Sequence, residues 1–478
     1  MKKSHSRLLY AIAFLFYTFS LQAQSFSFPG LRTGNYAGVN SVFFNPAQAS
    51  DSRYIFDLNL FGINTGLGNN KASFSLNTVG STFNSNNTLN NLFSGDGKLS
   101  GQFQADITGP SFYFRLPKKS GVAFTTRLRA QFSFTDLDGN LVKTILNDVN
   151  NGITFPHTIN SSQNIRINTN AWGEYGITYG RVIKEDSKKL IKAGATLKYL
   201  TGAGNTYVQI DQLTGVLTQN PSNPNTVYLA PGSRGIIGLG VSGSTGSLSF
   251  SDLINSASTG LGADLGFVYE QKSKRNPKHP YKFRVSASVL DIGAIKYTRD
   301  LNKSGTFQML VTTPPGFDVQ ALQGVNLNNY KQVLSNNPNF VPSAFNSSPT
   351  IKVSLPTTLQ LYGDLHLNGN FYVSAGSQVS IVKRSDPENA FVYSGFTVTP
   401  RYEGKAIGLY VPLNYNSLSS LTMGATLRLG PLFVGSGSIL SALFSQSKQA
   451  DVHVGLHIGI LKKKPRKEKT VAPQNENT

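Results

Sequence analysis

The amino-acid sequence predicts an all-β transmembrane barrel of about fourteen antiparallel strands, with an N-terminal segment that plugs the lumen. Three observations predict it. The N-terminus reads as an export signal, no later apolar run is long enough for a membrane helix, and many segments alternate apolar with polar residues. The composition agrees, because 14% of the 478 residues are charged, against roughly 25% in an average soluble protein.

Residues 1–23 are predicted to be a cleaved signal peptide. Lys2, Lys3 and Arg7 precede a continuous apolar run, and Ala23 is a small residue suited to the cleavage site. The run is shorter than the ~20 residues of a spanning helix, although an uncleaved anchor helix is the alternative. Removing the three basic residues changes the formal charge from +20 to 20 − 3 = +17. The signal predicts export to the outer membrane of a Gram-negative cell.

Period-two alternation then accounts for most of the chain. In 121–135, Phe124 and Leu128 fall on one face, whereas Arg127 and Arg129 fall on the other. The predicted strands are 53–64, 100–116, 121–135, 165–183, 189–201, 260–271, 280–297, 351–362, 369–382, 391–402, 404–414, 419–429, 431–438 and 451–461. Twelve or sixteen strands are the alternatives in number, and a soluble β-sandwich with its apolar faces inward is the alternative in architecture.

The connections distinguish a barrel from a sandwich. On one side they are short turns, whereas 65–99, 136–164, 202–259 and 298–350 are long and all fall on the other side. Short periplasmic turns and long outer loops are typical of outer-membrane barrels. The barrel is therefore predicted over 53–461, with both termini in the periplasm.

The alternation assigns a set of basic side chains to the lumen. They are Arg115, Arg127, Arg129, Lys192, Lys198, Lys282, Arg284, Lys352 and Arg428. Their acidic counterparts are Glu174, Asp264 and Glu270. A net positive lumen favours the passage of anions, because rings of Arg and Lys select negative solutes. The alternative is a salt-bridged, hydrated interior that only holds the barrel open.

The two ends of the mature chain differ in character. Residues 24–52 carry many aromatic side chains and are too apolar for a free tail. Burial in the lumen would let their asparagines bond to a polar wall, so we expect a plug there. Residues 462–478 are basic and are predicted to be a disordered periplasmic tail.

No catalytic or metal constellation stands out. The chain has no cysteine, which excludes thiolate zinc sites and cysteine nucleophiles. His453 and His457 share one face of a strand, but at that spacing they lie ~13 Å apart, too far for one metal ion. We expect no enzyme, no catalytic residue, no metal and no cofactor. Nucleic acid is not an expected partner, because export separates the chain from it.

One segment resembles a known transporter family. GVNSVFFNPA at 38–47 is similar to the Asn-Pro-Ala segment near the mature N-terminus of FadL-type fatty-acid transporters, in which the preceding residues form a lumen hatch. The resemblance covers three residues. With the aromatic content of 24–52, it assigns to the plug Phe43, Phe44, Asn45, Pro46 and Ala47.

A wider resemblance adds 51–64 (DSRYIFDLNLFGIN), 262–267 (GADLGF) and 288–293 (SVLDIG). Together these segments resemble a family of Bacteroidota outer-membrane barrels related to the FadL type and to barrels that accompany type IX secretion. The resemblance covers about 30–461 and implies a fourteen-strand barrel with an N-terminal plug. It implies no activity and no fatty-acid-binding residues.

Two functions fit these features. The first is passive transport of a hydrophobic or amphipathic anionic solute through a plugged barrel. Prolines at 110, 356 and 412 would serve it if they opened a side exit, since each removes a ladder donor. The second is a non-transporting barrel for surface recognition, or for docking periplasmic or secretion-system proteins. The expected partners are outer-membrane lipid and either a small solute or such a protein.

Overall fold

The computed structural model describes most of the chain. The described residues are 28, 30–73, 75–76, 98–145, 153–160, 165–243, 256–273, 281–343 and 348–462. The predicted signal peptide and the tail beyond Lys462 lie outside them. Within these ranges, no helix combines the length and the apolar character needed to cross a membrane.

Fourteen antiparallel strands close into a ring. They are β1 (Tyr54–Asn69), β2 (Leu99–Thr108 and Ser111–Leu116), β3 (Ser120–Leu137), β4 (Ile165–Glu185), β5 (Lys189–Asn220), β6 (Thr259–Gln271), β7 (Phe283–Thr298), β8 (Thr350–Ser354 and Thr358–Asn368), β9 (Phe371–Ser380), β10 (Gly395–Glu403), β11 (Ile407–Tyr410 and Leu413–Asn416), β12 (Ser420–Met423 and Ala425–Leu429), β13 (Leu432–Ser436) and β14 (Gln449–Leu461). Each strand pairs with the next, and β14 returns to β1, from Tyr54 opposite Leu461 to Gly68 opposite Gln449. The predicted fourteen-strand barrel is confirmed.

The outer surface of the ring is apolar. Phe124, Leu197, Leu261 and Leu421 point outward and are 46 to 66% exposed. Such a belt is what a lipid-facing barrel presents, whereas a protein surrounded by water rarely exposes one. Since the apolar faces point outward, the alternative of a soluble sandwich is wrong.

Three prolines of the ring, Pro110, Pro356 and Pro412, lie at interruptions of their strands. Pro110 separates the two parts of β2, Pro356 those of β8 and Pro412 those of β11. A proline has no N–H for the ladder, which accounts for the loss of pairing at these three positions. Pro400 lacks the same donor but remains within β10, opposite Val373.

The long connections leave the ring on one side, opposite the termini, and the described parts of 136–164, 202–259 and 298–350 contain further strands. Strand β5 continues for 32 residues and pairs beyond the ring with His157–Asn160, Asn223–Leu229 and Arg234–Gly243. Three further strands complete this sheet: Gly305–Leu310, Phe317–Asp318 and Phe340–Ser343. We call these elements the cap. Short helices also occur at Gly139–Ile145, Tyr330–Ser335 and Ile439–Phe444, with 3-10 turns at Gly38–Phe43, Pro46–Asp51 and Val319–Leu322.

The cap has a hydrophobic core of its own. Leu217, Val227, Val241, Phe307 and Val311 are almost completely buried in it. The sequence analysis ended β5 at 201 because the outward apolar alternation stops there. Past that point the same strand buries its apolar side chains against protein instead of lipid.

A bulge in β7 inverts which residues point inward. Ser286 and Ser288 are buried on one side of it, and Ile295 and Tyr297 on the other. Between them, Asp291 adopts the left-handed conformation with φ of 59°, and the register with β6 shifts. The inward face of β7 is therefore polar toward the termini and apolar toward the cap.

This inversion corrects one assignment. Lys352 is exposed, whereas Ile351 and Val353 on either side of it are buried. The prediction that Lys352 faces the lumen assumes that the apolar face of the strand points outward along its whole length. Beyond the bulge the apolar face points inward, so the lysine lies on the exposed side.

Candidate functional site

The N-terminal segment, which the structure describes at residue 28 and over 30–52, contacts inward-facing groups on several sides of the ring. The backbone N–H of Val39 donates to Asp57 of β1 at 2.7 Å, and the backbone N–H of Asn35 donates to Glu403 of β10 at 2.8 Å. The amide of Asn45 donates to a carbonyl of β7 at 3.1 Å. Because these strands lie apart in the ring, the segment crosses the lumen.

Part of this segment packs against a glycine-lined wall. Gly121, Gly180, Gly194 and Gly266 belong to the four consecutive strands β3 to β6, and a Cβ on any of them would lie within 3.0 Å of residues 45–50. At Gly194 the nearest atom would be the backbone nitrogen of Ala47, 2.6 Å away. Backbone cannot yield as a flexible side chain does, so glycine is required for this close approach.

The residues assigned to the plug divide between two surroundings. Phe43 and Phe44 are half-buried and border a cavity. Asn45, Pro46 and Ala47 are buried against the glycine-lined wall. Asn45 also caps the turn that follows, since its side chain accepts the backbone N–H of Ala47 at 3.0 Å.

A network of paired charges lies beside this segment. Its members are Arg32, Arg127, Arg129, Lys198, Asp106, Glu174, Asp264 and Asp291. Arg127 binds Asp106 through two nitrogens, at 2.7 and 2.6 Å, and Arg129 lies 2.7 Å from Asp291. Four cations meet four carboxylates, so the formal charges of this network sum to zero.

A second network lies closer to the termini. Its members are Lys192, Arg284, Arg401, Glu270, Asp364 and Glu403. Lys192 lies 2.7 Å from Glu270, and Arg401 lies 2.6 Å from Asp364. Three cations meet three carboxylates. The two networks therefore match the salt-bridged interior weighed as an alternative, not the net positive lumen that the sequence analysis expected.

Three further residues predicted in the lumen have other surroundings. Arg428 is buried and donates to the carbonyls of Gly404 and Lys405 at 2.6 and 3.1 Å, so it ties a turn near the termini. Arg115 and Lys282 are exposed at strand ends on that same side. Together with the exposed Lys352, they leave five of the predicted basic residues in the two networks: Arg127, Arg129, Lys192, Lys198 and Arg284.

Sequence reasoning missed several network residues, including Arg32, Asp106 and Asp291. Asp106 shares its alternation with Gln102, which is also buried, so the inward face of 100–116 could have revealed it. Asp291 could not have been found in this way, because it points inward only through the bulge.

A cavity of about 110 Å³ lies between the N-terminal segment and the wall. Its volume is comparable to cavities that hold benzene, roughly 150 Å³. The segment contributes the rings of Phe28, Phe43 and Phe44. Strands β8 to β10 contribute neutral polar side chains, which are Thr358, Gln360, Gln378, Thr397 and Thr399. The cavity has room for one small solute and not for an extended chain.

Residues 381–394 lie between β9 and β10, and their Val392 borders the cavity from the cap side. We call them the inner loop, because their backbone carbonyls meet the opposite wall. The carbonyl of Phe391 accepts from Gln102 at 2.9 Å and from Gln131, and that of Glu388 accepts from Asn205 at 2.8 Å. Further donors are Arg166, Asn168 and Asn170. The predicted strands 369–382 and 391–402 leave only 383–390 between them, and the sequence gives no sign that this connection turns inward.

Comparison with known proteins places the chain in a family. Residues 46–437 match the family of unknown function DUF5723, which is more than half of the 478 residues. The chain belongs to this family. The DUF5723 match begins at Pro46, so it excludes the cavity-lining residues of the N-terminal segment, which are Phe28, Gly30, Arg32, Thr33, Phe43 and Phe44. No sequence among curated proteins matches the chain.

Several solved structures are similar in fold. The toluene transporter TbuX of Ralstonia pickettii is 12% identical, with 93% of this chain and 100% of that chain covered and a TM-score of 0.40. A FadL homologue of Pseudomonas aeruginosa is 9% identical, with 91% and 98% covered and a TM-score of 0.42. A mutant of the monoaromatic hydrocarbon channel TodX is 10% identical, with 89% and 95% covered and a TM-score of 0.33.

Proposed function

We propose that this chain is an outer-membrane barrel that passes small hydrophobic or amphipathic solutes passively, with the N-terminal segment as its plug. The observation that carries the proposal is the solute-sized cavity at the point where the aromatic rings of the segment meet the barrel wall. The apolar outer belt supports location in a membrane. An anionic solute has weaker support, because the cations beside the cavity already have carboxylate partners.

A side exit is proposed at Pro356 in preference to the other two prolines. Pro356 borders the cavity together with Leu290 and Asp291, whereas Pro110 and Pro412 do not. Regular pairing of β7 with β8 is interrupted at Pro356. In its place, the backbone N–H of Leu355 donates a hydrogen bond to the carbonyl of Gly293 at 3.0 Å. The wall is thus irregular where the cavity touches it.

Deletion of residues 25–44 tests the plug while retaining the part that packs on the glycine-lined wall. The two forms are compared in planar bilayers with lipopolysaccharide in one leaflet, with ion conductance and the passage of a small aromatic solute as readouts. Deletion should raise both, because it removes Phe28, Phe43 and Phe44 from the cavity. If both stay unchanged while the variant migrates as a folded barrel on unheated gels, the segment is no gate.

Recognition at the cap is the second candidate function, favoured by the cap's independent hydrophobic core. It requires the cap to lie outside the cell. An epitope inserted at Gly232, an open turn of the cap, should be labelled on intact cells, whereas one at Gly369, an open turn on the opposite side, should not. Labelling at Gly369 alone would contradict the orientation.

A further inference from the structure

The cavity has an aromatic side and a hydrogen-bonding side. Phe28, Phe43 and Phe44 form the first, and the ring of Phe44 also packs edge-on against Tyr362 at 5.1 Å. Hydroxyl and amide groups of β8 to β10 form the second. A purely apolar solute would satisfy only one of these two sides.

Two groups on the hydrogen-bonding side can form further hydrogen bonds. The hydroxyl of Thr399 is completely buried and has no hydrogen-bond partner within the described chain. The amide nitrogen of Gln360 donates to Gln378 at 2.6 Å and to Thr358 at 3.3 Å, while its amide oxygen accepts no bond from the residues described. A buried polar group without a partner is costly, so a solute that supplies one gains affinity.

The charged groups that line the cavity are paired with groups of opposite charge, and among their described side chains only the Nε–H of Arg32 is buried without a hydrogen-bond partner. Arg32 lies 3.3 Å from Asp106, and Arg129 lies 2.7 Å from Asp291, which itself borders the cavity. A negatively charged solute would compete with these carboxylates and would be repelled by Asp291. An anion is therefore disfavoured even though arginines line the space.

We propose, on the basis of the function proposed above, that the cavity selects small uncharged solutes with a compact apolar body and a hydroxyl group. The apolar body packs against the phenylalanine rings, and the hydroxyl pairs with Gln360 or Thr399. Hydrocarbons of the same size leave these two groups unpaired, and anions meet the matched charges. A phenol is the simplest solute of this class.

Binding of three probes tests the selection: phenol, toluene and benzoate. The full-length mature barrel is placed in lipid nanodiscs, and equilibrium dialysis measures binding, with empty nanodiscs subtracted for partition into lipid. Phenol should bind about tenfold more tightly than either of the other probes, which is the effect of one unpaired buried polar group. Equal or tighter binding of toluene or benzoate would overturn the proposal.

Two near-isosteric variants then locate the interaction. Gln360→Leu and Thr399→Val together should weaken phenol binding about tenfold and leave toluene binding unchanged or stronger. Phe43→Ala is the control, and it should weaken phenol and toluene alike. Unchanged phenol binding in the double variant would contradict the assignment of these two groups. Absence of binding for all three probes would instead contradict the proposed passage of small solutes through this cavity.

Discussion

The N-terminal segment and the inner loop border one cavity from opposite sides, but different bonds hold them. Charged groups hold the segment, as at Arg32 with Asp106 and at Val39 with Asp57. Backbone carbonyls hold the inner loop, and amide side chains such as Gln131 and Asn205 are most of their donors. Charge-assisted hydrogen bonds are about twice as strong as neutral ones. The inner loop should therefore be the side that moves more readily.

Cross-linking is expected to have the largest effect on passage. The chain has no cysteine, so a pair introduced by Asn205→Cys and Glu388→Cys can be joined by a short thiol cross-linker without side reactions. This should abolish solute passage, because it fixes the inner loop to the wall. Cleavage of the linker should restore passage. Full passage in the cross-linked form would show that the inner loop does not gate.

Two substitutions on β3 compare the bonds directly. Arg127→Met leaves Asp106 and Glu174 buried with too few partners, and it should lower the free energy of unfolding by about 3–5 kcal/mol. Gln131→Met removes one donor to the Phe391 carbonyl, which keeps Gln102, and should cost only about 0.5–1.5 kcal/mol. The single tryptophan, Trp172, lies 4.8 Å from Arg129, so its fluorescence reports unfolding. Equal losses of unfolding free energy in the two variants would contradict the inference that the charged groups are held more strongly than the inner loop.

A substitution in the glycine-lined wall should have a smaller effect on the free energy of unfolding. Gly194→Ala places a methyl group against the backbone of Ala47 and should cost about 1–3 kcal/mol through overpacking. The matched control is Gly238→Ala in the cap, where the nearest atom would lie 3.5 Å away. Urea titration of both variants in bilayers measures the difference. A cost at Gly238 as large as that at Gly194 would contradict close packing as the cause.

The smallest effect concerns pH. Burial raises the pKa of Glu388 in the inner loop above its ordinary value, and Asp386 adds to the shift, while Arg299 and Arg166 oppose it. Glu388 therefore binds its proton more tightly when the inner loop is bound to the barrel wall than when the loop is released. The attachment of the inner loop to the wall is therefore most stable below pH 4.5, the ordinary pKa of a glutamate, and weakens as pH rises through the raised pKa of Glu388. Conductance should be slightly higher at pH 7 than at pH 4.5, and Glu388→Gln should remove that difference.

The sequence predicts the strands well because lipid imposes a regular signal. Outward positions within the membrane are mostly apolar, so period-two alternation marks the strands and identifies outward faces such as that of Phe124. The signal fails where the surroundings change. In β5 beyond 201, the apolar side chains pack against protein instead of lipid. At Lys352, a bulge in the neighbouring strand exchanges the inward and outward faces, so the apolar residues point inward.

The candidate site was harder to predict, because half of it depends on backbone groups. The carbonyls of Glu388 and Phe391 exist in any sequence, and nothing in 381–394 distinguishes a loop that turns inward. The available signal was on the other side, where buried Gln131, Asn168 and Asn170 form an unusual run of inward amides. Amides facing a lumen without partners of their own indicate that another segment must supply them.

Strand β5 has a mechanical consequence. Its 32 residues would extend about 100 Å, since a strand rises about 3.3 Å per residue, against a hydrocarbon core of about 30 Å. The ladder with β4 is nearly continuous, from Glu185 opposite Leu190 to Ile165 opposite Ile210. A pull on the cap would therefore load this long ladder in shear, along many hydrogen bonds at once, and the cap and the barrel wall would move as one stiff lever.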